Sequence, residues 1–143
     1  MFAALATLTI AALFVATLLM RPAGEREARA AVEGFGARLQ KVSLLATDAS
    51  LVIEEEYGAF VEPALLARWQ HEPLEAPGRQ ASSPWPDRIE IVRVARQGSG
   101  YVVEGEIVLR TSAGDAGRTP VIIQLVPSDE GYRIAAFEEQ EGI

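Results

Sequence analysis

Apolar residues in this chain change their spacing three times, and each change marks an element. From Phe2 to Met20, FAALATLTIAALFVATLLM, the run holds no charged residue, glycine or proline, and threonine hydroxyls are its only polar side-chain groups. As a helix rising about 1.5 Å per residue, it spans about 28 Å, close to the roughly 30 Å hydrocarbon core of a bilayer. The pattern predicts a transmembrane anchor over 1–21. No Lys or Arg precedes the run, and the nearest small-x-small triplet, Ala28-Arg29-Ala30, lies well beyond it. An uncleaved anchor is therefore expected rather than a signal peptide.

Pro22-Ala23-Gly24 interrupts the pattern, and a linker is expected over 22–27, ahead of a single domain over 28–143. Ala28, Val32, Phe35, Leu39 and Val42 then recur every three or four residues, one stripe of an amphipathic helix. Gly34 and Gly36 each weaken that helix by about 1 kcal/mol relative to Ala, which predicts close packing of another element there. Thr47 or Asp48 is placed to cap a second helix that ends at Tyr57 before Gly58. A third, PALLARWQ, starts with Pro63 in its first turn and turns Leu65, Leu66 and Trp69 to one side.

From Arg88 the period falls to two. RIEIVRVA alternates through Ile89 and Ile91, then shifts phase at Val92 and Val94, as a strand with a bulge does. In YVVEGEIVLRT, Tyr101, Val103, Ile107 and Leu109 face one way, and Glu104, Glu106 and Arg110 the other. SAGDAGR reads as a loop, TPVIIQLV as a strand with Pro120 at its start, PSDEG as a turn and YRIAAFEE as the last strand. Four strands joined by short links make an antiparallel meander, and helices followed by strands make an α+β domain with two to three helices on one face of a curved sheet.

A helical first half, the short helix PALLARW before the sheet, and a strand ending such as DEGYRIAAFEE resemble the nuclear-transport-factor-2-like (NTF2-like, cystatin-like cone) superfamily, over roughly residues 25–139. The resemblance implies a cone-shaped domain with a pocket between helices and sheet. Its members include isomerases, dehydratases, ligand-binding modules and membrane-anchored assembly proteins. The fold alone therefore leaves the function open.

Composition narrows the chemistry. The formal net charge is −7, which argues against nucleic acid as a partner. There is no cysteine and one histidine, His71, so thiolate metal sites and disulfides are excluded and a zinc site lacks its usual donors. Glu54-Glu55-Glu56 point about 100° apart on a helix and do not converge on an ion. No cofactor, metal or catalytic residue is assigned. Tyr57, Trp69 and Tyr101 are the candidates for lining a pocket, with Asp48 and Asp87 as further acids.

The least generic stretch is APGRQASSPWPDRIEI, residues 76–91. Ala76-Pro77-Gly78-Arg79 fits a type II turn, and Pro84 and Pro86 hold Ser83 and Trp85 extended. Such a loop delivers Trp85 at a fixed angle, favoured as a peg in the core over an exposed hot spot for a partner. Arg79, Asp87 and Arg88 are expected to bind nearby backbone or one another. The expected function is a single-pass, membrane-anchored, non-enzymatic binding or scaffold domain in an envelope protein assembly of secretion, sporulation or cell-wall type. It would bind a protein partner or a second copy of itself. The alternative is a small-molecule-binding or isomerase-like enzyme using the helix–sheet pocket. An extracytoplasmic domain suits an envelope assembly, although Arg21, Arg26 and Arg29 after the anchor favour the cytoplasmic side.

Overall fold

The computed structural model describes residues 22–141. The transmembrane anchor expected over 1–21 lies outside these residues, and no helix among the described ones is long and apolar enough to cross a membrane. Three α-helices precede four strands: α1 (Ala23–Gly36), α2 (Ala49–Tyr57), α3 (Pro63–His71), β1 (Trp85–Gln97), β2 (Gly100–Thr111), β3 (Gly114–Ser128) and β4 (Gly131–Glu139). The sheet is antiparallel in the order β1-β2-β3-β4, so every strand pairs with its neighbour in sequence. The chain is an α+β domain.

The stripe expected along the first helix is buried throughout: Ala28, Val32, Phe35, Leu39 and Val42 are all closed to solvent. It does not lie on one helix, however. α1 begins at Ala23, inside the expected linker, and stops at Gly36, after which Leu39–Lys41 form a 3₁₀ turn. Gly36 sits so close to β1 that a Cβ there would lie 2.7 Å from the Ile89 backbone nitrogen. Two glycines in three residues lower helix propensity where the chain meets the sheet, and the tighter turn carries Leu39 and Val42 into the core. Gly34 answers to Phe60, whose ring edge would be 2.8 Å from an added Cβ.

α2 and α3 follow the expected bounds, with Asp48 at the N-cap position of α2 and Pro63 in the first turn of α3. The Asp48 side chain makes no capping bond. Its carbonyl accepts from the Leu51 and Val52 amides instead, at 3.0 and 3.1 Å. The sheet is more extensive than the pattern suggests. β1 starts at Trp85 rather than Arg88, and β3 starts at Gly114, so most of the expected SAGDAGR loop is strand. Only Ser112 and Ala113 form the turn between β2 and β3. Pro120 is tolerated inside β3 because its missing N–H falls on the β4 side just past the end of that strand, where its carbonyl still accepts from the Gln140 amide at 2.8 Å.

The phase shift in β1 is a bulge between Ile91 and Arg93. Val92 is the extra residue and is 65% exposed, while Ile89, Ile91 and Val94 keep to the core face. That face of the sheet also carries Tyr101, Val103, Ile107, Val121, Ile123, Leu125 and Ile134, and the helices cover it. The other face is open.

Candidate functional site

Four aromatic rings from four elements meet between the helices and the sheet. Phe35 of α1 lies 4.7 Å from Tyr57 of α2, 6.2 Å from Trp69 of α3 and 5.6 Å from Phe137 of β4, centroid to centroid. Tyr57–Trp69 and Trp69–Phe137 close the cluster at 6.0 and 6.2 Å in edge-on geometry. The Tyr57 hydroxyl donates to the Pro77 carbonyl at 2.6 Å. Burial, with a smaller push from the Glu56 charge, raises the phenol well above its ordinary pKa, so the hydroxyl stays protonated and engaged. Tyr57 and Trp69, expected to line a pocket, therefore meet as filling of the core.

Tyr101 does not join them. Its ring stacks edge-on against Tyr132 at 5.2 Å, and its hydroxyl abuts Gly24 in the first turn of α1. The tryptophan that pegs the core is Trp69, 1% exposed; Trp85 is only half-buried and lies outside the core cluster. The peg expected at Trp85 is thus corrected: its flanking residue Pro86 is the buried one. Trp85 stands opposite Arg110 at the first rung of the β1–β2 ladder.

The segment before β1 is held by its backbone rather than by a type II turn. Gly78 has φ +158°, far from the roughly +80° that such a turn requires. Instead Arg79 lies along the chain after α1, its amide donating to the Val42 carbonyl and its carbonyl accepting from the Leu44 amide, both at 2.8 Å. Gly78 is pressed against this contact, where a Cβ would sit 2.9 Å from the Val42 carbonyl. The Arg79 Nε is buried without a hydrogen-bond partner among the described residues. Ser83 is exposed, and its bond to Pro84 is cis.

Between this segment and the sheet lies a cleft of about 380 Å³. Leu74, Pro77 and Pro84 wall one side, and Ile107, Leu109 and Phe137 the other. Its polar groups belong to Glu75, Gln80, Thr119 and Glu139. Glu75 is paired with Arg68 at 3.2 Å. Glu139 has no such partner among the described residues; it is an exposed residue at the mouth of the cleft, and partial desolvation raises its carboxyl above the ordinary range. Sequence reasoning missed Glu139 because it sits in an acidic tail. The signal was present in the alternation, since it lies two residues beyond Phe137 on the same face.

On the open face, charges organise around Arg88. It reaches Asp87 at 2.9 Å, Glu90 at 2.8 Å and Asp115 at 3.2 Å. Arg118 binds the other oxygen of Glu90 at 2.6 Å and approaches Glu106 at 3.7 Å. Arg110 lies 3.8 Å from Asp87. Hydrogen bonds raise the Arg88 and Arg118 pKa values and hold Glu90 below the usual carboxylate range. Val108 lies between Arg88 and Arg118 across the ladders and is closed to solvent. The expected pairing of Asp87 with Arg88 is present within this larger network; Arg79 takes no part in it.

Among the described residues no three His, Asp or Glu side chains gather as metal ligands. Glu54 and Glu56 go to different partners, Gln70 and Arg38, and His71 is exposed at the end of α3. No protein-family model, curated protein or solved structure matches the chain.

Proposed function

We propose that this chain is a membrane-tethered, non-enzymatic binding domain of NTF2-like type, serving a protein assembly at a cell envelope. One observation carries the reading. The space between helices and sheet, which would serve as a reaction chamber, is occupied by Phe35, Tyr57, Trp69 and Phe137. The tyrosine best placed for acid–base work is desolvated and committed to the Pro77 carbonyl. An isomerase-like reading needs an open cavity with convergent polar groups; the space between these four rings offers neither, and the cleft beside the 74–86 segment carries its carboxylates at exposed positions.

Contacts then fall to the rim. Trp85 is half-buried, outside the core and held between Pro84 and a buried Pro86, so a partner meets an aromatic surface that loses little freedom on binding. The apolar run at 2–20 supplies the tether, which raises the local concentration of the domain at the bilayer. Full-length protein is expected to fractionate with membranes and resist carbonate extraction. Trp85→Ala is expected to leave the melting temperature within a few degrees while a copurifying protein, or a second copy of the chain, is lost. Carbonate release of the full-length protein, or an unchanged set of bound proteins, would contradict the proposal.

A further inference from the structure

We infer that the domain is polarised on the bilayer. The hairpin tips Gln97–Gly100 and Ser128–Gly131 rest at the lipid headgroups. Trp85, at the other end of the 13-residue strand β1, stands about 35–40 Å away at about 3.3 Å per residue, where a partner reaches it from water and not from within the membrane. The inference rests on the tether proposed above and assigns a surface to each of the two contacts, lipid and protein.

The start of α1 fixes the near end. An added Cβ at Gly24 would lie 2.8 Å from the Tyr101 hydroxyl oxygen and 3.1 Å from that of Tyr132. Each tyrosine directly follows a tip, since Gly100 pairs with Gln97 and Gly131 with Ser128. The helix therefore begins beside both hairpins. Between the apolar run, which ends at Met20, and Ala23 lie only Arg21 and Pro22, about 7 Å of extended chain. The Pro22 carbonyl already accepts from the Arg26 amide at 3.1 Å, so the first helical turn closes at once. A run held in the bilayer thus brings the tips to its surface. QGSG and SDEG hold no apolar side chain, which suits them to the headgroup layer and not to the hydrocarbon below it.

The far end follows from the same frame. α1 rises about 20 Å from Ala23 to Gly36, where it meets Ile89, and Trp85 lies four residues further along β1. The 74–86 cleft opens at this end, beside Leu109 near the end of β2. Exposed apolar side chains gather here. Leu74 is 60% exposed at the cleft, and Leu45, 68% exposed, follows Leu44, whose amide donates to the Arg79 carbonyl. Exposed leucines beside a half-buried tryptophan are a surface for a protein to cover. Charge keeps the domain upright: at a formal net charge of −7, a pose lying along an anionic leaflet is repelled.

The chain has no cysteine, so one introduced thiol carries a fluorescent probe at a chosen position. Ser99→Cys and Asp129→Cys mark the tips, and Ser83→Cys and Ser112→Cys the far end; all four residues are exposed. Each full-length protein is reconstituted in phosphatidylcholine vesicles, with and without phosphatidylcholine that bears a nitroxide on its headgroup. The nitroxide is expected to quench the probes at 99 and 129 and to leave those at 83 and 112 at full intensity. Added phosphatidylglycerol should leave that pattern unchanged. Flotation with the vesicles is scored first and separates the two claims. Protein that does not float refutes the tether and this inference together. Protein that floats but is quenched equally at all four positions, or at neither 99 nor 129, overturns this inference alone and leaves the tether standing.

Discussion

Two tryptophans in this domain have opposite fates, and the contrast is measurable. Trp69 touches Phe35, Tyr57 and Phe137 and is closed to solvent, so Trp69→Ala should cost about 3–5 kcal/mol, as loss of a large buried aromatic does. Trp85→Ala, at a half-buried position outside the core, should cost less, about 1–2 kcal/mol. Urea unfolding of the two variants checks this, and equal losses would restore Trp85 as a peg. Tyr57→Phe keeps the ring packing but leaves the Pro77 carbonyl without its donor, which should cost about 1–3 kcal/mol in the same assay. Glu139 gives a prediction of opposite sign. Partial desolvation raises its folded-state pKa, so the ionised form weakens folding once pH exceeds the unfolded value, by a margin kept small because the residue is exposed. Glu139→Gln should therefore melt higher than the parent at neutral pH, and the gap should close as pH falls and the parent carboxyl protonates.

Helices and strands were legible where a single period governed the residues and illegible where two constraints competed. The buried stripe from Ala28 to Val42 was readable from spacing alone, and so was the bulge at Val92, because the period of the apolar residues breaks there. The end of α1 at Gly36 was not readable, since it depends on how closely the Ile89 backbone approaches from 53 residues away. That approach is itself testable. Gly36→Ala should gain about 1 kcal/mol in helix propensity, yet lose more by forcing β1 outward, at about 1–3 kcal/mol for overpacking. A net drop in the urea midpoint is the expected result. GDAGR looked like a loop because of its glycines and charge, but it is the largely exposed first third of β3, where no apolar partner is needed. Reading it as loop hid Asp115 and Arg118, and with them the open-face charge network. The candidate site was legible in part: the segment around Trp85 stood out by its prolines, while the role of Trp69 depended on three other elements meeting at one point.

At the scale of the molecule, a filled helix-covered face lies behind a sheet whose open face is laced with charge. Glu90 is held below its ordinary pKa by hydrogen bonds from Arg118 and Arg88, so its contribution is present above the unfolded value and lost as pH falls through the folded one. The acid limb of the stability curve should therefore be shallower in Glu90→Gln than in the parent. These groups are exposed, and added salt should shrink the difference. On the proposed reading, a protein partner docks on the surface around Trp85, which stands opposite Arg110 at the edge of the open-face ion pairs. The most direct measurement is photocrosslinking in intact membranes, with a photoreactive residue replacing exposed Ser83 beside Trp85, or exposed Glu55 on α2 as the comparison. A discrete protein adduct from position 83, weak or absent from position 55, is the predicted result. Equal adducts from both positions, or none from position 83, would contradict it.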